Sequence, residues 1–99
     1  MTTSILPAVH PGEYLREEYL VPLGMSALAL AKALNVPRTR IERLVAETSP
    51  VTPDTALRLA KYFRTSPLFW MNMQAGHDLK IEAAAKKQEI DKIGVMAAA

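Results

Sequence analysis

Cysteine is absent from the 99-residue sequence. That excludes disulfide staples, zinc-ribbon clusters and thiol nucleophiles, and it permits an intracellular compartment. Glycine occurs only at Gly12, Gly24, Gly76 and Gly94, all isolated, so no glycine-rich loop exists to cradle a phosphate. The histidines are His10 and His77, far apart in sequence and without a second histidine at metal-ligand spacing. Structural or solvent-exposed roles are expected for both, and no metal or other cofactor is expected. Glu13, Glu17 and Glu18 stand close together, but adjacent acids on an exposed helix ordinarily serve solubility. No catalytic residues emerge, and the chain is not expected to be an enzyme. There is no long apolar run and no basic-then-apolar leader, so neither a membrane span nor a signal peptide is expected, and the chain reads as cytoplasmic. The net charge is only +2, with a pI of about 9.1. Such a balance does not announce a nucleic-acid partner by itself, and any basic footprint must be local.

What is present centres on Met25 to Val45, which reads as two short helices joined by a tight turn. Leu30 and Leu34 share one face of the first helix, Ile41 and Leu44 share one face of the second, and Val36 fills the corner. Ala31 falls where the helices would cross most closely. Asn35 is the turn residue, because asparagine tolerates the left-handed backbone that such a turn demands. This is the register of a helix-turn-helix, whose second helix enters a DNA major groove. That helix is expected to begin with Pro37 at its first position. Its exposed residues are Arg38, Thr39, Arg40, Glu42 and Arg43. Arginine can fork to guanine, and threonine can offer a hydroxyl or a methyl to base edges. A helical hairpin whose basic face is merely solvated has the same local pattern.

The length suits one small domain. Residues 1–9 lack periodicity and read as a flexible arm. A first helix is expected from about Pro11, with Leu15, Tyr19 and either Leu20 or Leu23 inward and Arg16 in water; Pro22 and Gly24 end it. Ser26 is the expected N-cap of the next helix. Thr52-Pro53-Asp54 is the clearest helix start, combining an N-cap, a first-position proline and a first-turn acid. Ala56, Leu59, Ala60 and Phe63 form its inward stripe, with Arg58, Lys61 and Arg64 outward. Ser66-Pro67 repeats the signal and opens a fifth helix carrying Leu68, Phe69, Trp70, Met71 and Met73. Trp70 and Phe69 are expected in the core. The apolar surplus at Leu68, Met71 and Leu79 points to a second buried surface, a homodimer interface. Residues 80–99 read as a solvated helical tail with a disordered end.

Several separated motifs then coincide: His10-Pro11-Gly12-Glu13, Pro22-Leu23-Gly24-Met25-Ser26, the run from Thr52 to Ala60, and Thr65-Ser66-Pro67 with Phe69-Trp70. In this order they resemble the HigA-type antitoxins of the Xre/Cro-like, or lambda-repressor-like, helix-turn-helix class. The resemblance runs from about His10 to about Leu79. It implies an all-α, five-helix DNA-binding domain over residues 10–79 with a C-terminal helical extension. It also implies a dimer that binds a palindromic operator in its own promoter and neutralises a RelE-like mRNA-cleaving toxin. Carried over by position, the base-reading surface falls on Arg38, Thr39, Glu42 and Arg43, with Arg40 and Lys32 placed for phosphates; Ser26 and Pro37 are also expected among the DNA-binding residues. Asn35 replaces the family's usual turn glycine. Ala27 and Leu28 stand where many relatives place a glutamine, and Ala46 to Pro50 replaces a basic, glycine-rich loop. A stand-alone regulator without a toxin, or an interaction module that no longer binds DNA, are the alternatives.

Overall fold

A computed structural model describes residues 9–97; the first eight residues of the expected N-terminal arm, and Ala98 and Ala99 at the expected disordered end, lie outside that range. Among the described residues every regular element is helical, which bears out the all-α expectation. Helix α1 is continuous but changes pitch, running as Pro11–Tyr14, a wider π-type stretch Leu15–Leu20, and a final turn Val21–Leu23. The wide stretch ends just before Pro22, which has no N–H to donate. Next come α2 (Ala27–Leu34), α3 (Arg38–Val45), α4 (Pro53–Phe63), α5 (Pro67–Ala85) and α6 (Lys87–Asp91).

The helix starts are local chemistry. Ser26, Thr52 and Ser66 each accept the backbone N–H three residues on, so all three expected caps form. Gly24, Asn35 and Arg64 close helices in the left-handed conformation. Pro37 is one position earlier than expected: with ψ of 144° it is the N-cap of α3, and Arg38 is the first helical residue. The chain leaves the Asn35 turn in extended geometry, and the residue that re-enters the helix must still be extended.

The core lies under the helix-turn-helix. Leu15, Leu30, Leu34, Ile41, Leu44, Ala56, Leu59 and Trp70 are buried together, with Val36 packed at the corner as expected. Of the two alternatives in α1, Leu20 is buried and Leu23 is exposed. Trp70 is fully buried, and its indole N–H donates to Thr65 Oγ1 at 2.8 Å. Around it, Tyr19 stacks on Phe63 with centroids 4.1 Å apart, and Tyr14 meets Phe69 edge-on at 5.2 Å. Phe69 is only half-buried.

Long-range contacts tie the start of α1 to the end of α3 and to α5. A Cβ at Gly12 would lie 1.7 Å from the Leu44 carbonyl oxygen, so only glycine lets the start of α1 press on that backbone. Beside it, buried His10 caps α1, its Nδ1 accepting the Gly12 N–H at 2.9 Å. The two histidines, remote in sequence, meet edge-on with centroids 4.9 Å apart.

Candidate nucleic-acid interface

Helix α3 presents two faces because its apolar residues recur three apart. Ile41 and Leu44 are buried, while Arg38, Thr39, Arg40, Glu42 and Arg43 are exposed. At about 100° per residue, Thr39, Glu42 and Arg43 project away from the core, Arg38 lies at one edge, and Arg40 turns toward α4. Lys32 is exposed on α2, and Ser26 and Pro37 are exposed at the starts of α2 and α3. The expected surface residues are thus all solvent-facing, and a shallow groove beside α3 is lined in part by Thr39, Arg43, Ser49, Pro50 and Thr52.

These polar residues are not equivalent. Arg38 pairs with Glu42 one turn on at 3.3 Å, and Arg40 bonds the Asp54 carboxylate. Arg43 and Lys32 have no carboxylate partner among the described residues. Their charge is therefore fully available to a polyanion, whereas that of Arg38 and Arg40 is partly compensated. The Ser26 hydroxyl already accepts the Ala29 N–H at 3.0 Å, which leaves its proton for an outside acceptor.

The end of α3 and the turn that precedes the helix are each held by an arginine that reads in the sequence as solvated. Arg16 of α1 is half-buried; its guanidinium donates to the Val45 carbonyl and to the Glu47 carboxylate, and it also pairs with Glu17. The orphan carbonyls at the end of α3 need such donors. Thr48 adds two more, its N–H and hydroxyl both reaching the Arg43 carbonyl. At the turn between α2 and α3, half-buried Arg58 of α4 donates to the carbonyls of Leu34 and Asn35 at 2.9 and 3.4 Å, and to Asp54 at 3.0 Å. Hydrogen bonds from Arg58 and then Arg40 hold the Asp54 carboxyl below its usual pKa. The expectation of Arg16 and Arg58 in water fails because these side chains find carbonyls 29 and 24 residues away. Only a Thr52-Pro53-Asp54 start followed one turn later by an arginine hinted at part of this.

The loop after α3 lies against α5. Buried Gln74 accepts the Val51 N–H at 2.8 Å and donates to Asp78 at 3.0 Å. A glutamine on an apolar helix had no visible role in the sequence. Its amide replaces a backbone partner that the irregular segment at Val51 would otherwise lack.

The helix-turn-helix family model matches residues 15–70. The chain is 54% identical over 88 residues to virulence-associated protein I of Dichelobacter nodosus, spanning 89% of this chain and 81% of that protein. It is 37% identical over 71 residues to antitoxin HigA-1 of Vibrio cholerae, spanning 72% and 67%. Among solved structures it is similar to the Pseudomonas aeruginosa antitoxin HigA with the higBA promoter, at a TM-score of 0.87 and 38% identity, covering 92% of this chain and all of that one. Among the described residues no helix is long and apolar enough to cross a membrane.

Proposed function

Since the chain belongs to the helix-turn-helix family, among the HigA-type antitoxins and their relatives, a family of DNA-binding regulators and not of enzymes, we propose that it is a dimeric, operator-binding antitoxin that represses its own operon and neutralises a RelE-like mRNA-cleaving toxin. The observation that carries the DNA-binding half is the exposed face Arg38, Thr39, Glu42 and Arg43 on a helix held at its end by Arg16, with the turn before it held by Arg58. Arg38 and Thr39, in the first turn, are the base readers, and Arg43 reaches a second point on the groove. Lys32 is a phosphate contact, with Ser26 and Pro37 at the rim. Residues 10–79 act as the DNA-binding unit and 80–99 as a helical tail, and the cytoplasm is the compartment where such a repressor meets its operator.

The dimer is supported by a second face on α5. Leu68, Ala75 and Leu79 are exposed and fall within about 40° of one another around the helix, on the side away from buried Trp70, whereas Met71, expected with them, is partly buried against the core. In a palindrome-binding dimer the two recognition helices sit about 34 Å apart, or a multiple of that.

The test is binding of Arg38→Ala, Arg43→Ala and Lys32→Ala to an operator duplex and to random DNA across a salt series. Each arginine substitution should cost about 1–3 kcal/mol on the operator and relax base preference at one position, while Lys32→Ala should weaken both duplexes alike and lower the salt slope by about one. If all three retain full affinity, the basic face is only solvated and the interaction-module alternative takes over. Co-purification with the small basic product of an adjacent reading frame tests the toxin half; its absence favours a stand-alone regulator.

A further inference from the structure

Asp54 receives two guanidinium groups on one carboxylate oxygen, Arg40 from the recognition helix and Arg58 from its own helix. Arg58 in turn holds the carbonyls of Leu34 and Asn35, at the turn between α2 and α3. The chain of contacts is therefore continuous: turn carbonyls, Arg58, Asp54, Arg40, α3. All three side chains are 39–54% exposed, so as surface ion pairs they add little to stability. Their arrangement does something else. The left-handed Asn35 turn is closed by its own backbone bonds to Lys32 and Ala31 and by packing of Val36, and α4 adds a side-chain donor to its carbonyls from outside. Base reading tolerates little displacement of the side chains that perform it, whereas non-specific attraction depends only on charge.

We propose that Arg58 and Asp54 are positioning residues for DNA reading: Arg58 pins the turn, and Asp54 holds Arg40 against α4, so that α3 enters the groove at a set angle and Arg40 is withheld from non-specific phosphate contact. This rests on the DNA-binding reading above and deepens it, because it says where discrimination between operator and random DNA originates. Asp54 raises specificity in two ways at once: it fixes the helix, and it cancels a cation that would otherwise favour any polyanion.

The experiment uses the full chain, an operator duplex selected by the unaltered protein from a random pool, and a scrambled duplex of equal length. Helical circular dichroism and thermal melting establish that each variant is folded at the assay temperature. Asp54→Asn should lower operator affinity about tenfold while raising scrambled-duplex affinity about threefold, with a salt slope steeper by about one on the scrambled duplex. Adding Arg40→Ala to Asp54→Asn should reverse the scrambled-duplex gain, because the released cation is gone. Arg58→Lys keeps the charge but not the fork, and should lose operator affinity about as far as Arg58→Ala does. A parallel fall on both duplexes would make the network merely structural, and full rescue by Arg58→Lys would reduce Arg58 to a charge; either overturns the proposal. If the unaltered protein enriches no duplex at all, the DNA-binding reading itself fails, and this inference falls with it.

Discussion

Helix α5 passes through two regions that obey different rules. Up to His77 it packs on the body through Trp70 and Gln74; from Asp78 to Ala97 every residue is exposed. The body is held by non-local contacts, including the Gly12–Leu44 approach, the two arginine clamps and the Gln74–Val51 bond. The projecting segment has ion pairs one turn apart, Glu82–Lys86 at 3.2 Å and Lys87–Asp91 at 2.9 Å. Such pairs are worth roughly 0.3–0.5 kcal/mol each, and a short helix is marginal in water without a covered face. The projection also gives the chain a radius of gyration of 16.7 Å, where a compact chain of this length would have about 13 Å. Yet the segment carries exposed Leu79, Ile81, Ile90 and Ile93, more apolar surface than solvent-facing helices need. The core of the body is thus closed by contacts within one chain, while the segment leaves its apolar side chains uncovered.

The contrast is most exposed to failure at the centre of the body. Trp70→Ala should cost roughly 3–5 kcal/mol, measured by chemical denaturation, because it removes the largest fully buried side chain and orphans the Thr65 hydroxyl. An unchanged midpoint would mean that the body is organised around something else.

One substitution made in two parts of the fold gives a more pointed test. Gly12→Ala places a methyl against the Leu44 carbonyl and should cost about 1–3 kcal/mol, with loss of hydrogen-exchange protection in α3. Gly76→Ala in α5 meets nothing within 4 Å and should stabilise by about 0.5–1 kcal/mol. Equal signs would refute the contrast.

A pH titration separates the regions more gently. Burial, and then the neighbouring His77, lower the pKa of His10 below 6.5; Glu47, Asp78 and Glu13 oppose them. The unfolded chain therefore takes up this proton first as pH falls, so the body's stability is complete above pH 6.5 and declines as pH drops through that value toward the folded pKa. His10→Asn, which keeps an acceptor for the Gly12 N–H, should flatten this part of the melting-temperature profile. A slope that survives the substitution would assign the titration to another group.

At the exposed stripe the change in stability should be slight. Leu79→Glu should alter it by no more than about 0.5 kcal/mol at high dilution, yet it should abolish any rise of melting temperature with protein concentration. Sedimentation of the unaltered chain at micromolar concentration should report twice its mass; a persistent monomer would remove the dimer.

Most of the elements were legible because their signals are local. Ser26, Thr52 and Ser66 each cap a helix through a bond spanning three residues, and Asn35 is a residue type that tolerates the left-handed turn it makes. The core stripe of α3 follows from the spacing of Ile41 and Leu44, and the identity of its exposed face follows with it. Pro37 shows the limit of such reading, since its fixed φ of −62° suits both an N-cap and a first helical position, and only ψ decides between them.

Most of the helices, their capped starts at Ser26, Thr52 and Ser66, and the outward side chains of the recognition helix were settled in the sequence, because each depends on residues within a turn or two. What long polar side chains do with their length was settled only by tertiary packing. Arg16 and Arg58 carry the same chemistry whether they reach water or a carbonyl, and their partners at Val45, Leu34 and Asn35 become near neighbours only after the helices pack. The same holds for His10 against His77, for Gln74 against Val51, and for Gly12, whose missing side chain matters only because the Leu44 backbone arrives beside it. Local sequence sets where a backbone group is left unsatisfied, but packing alone chooses the side chain that satisfies it.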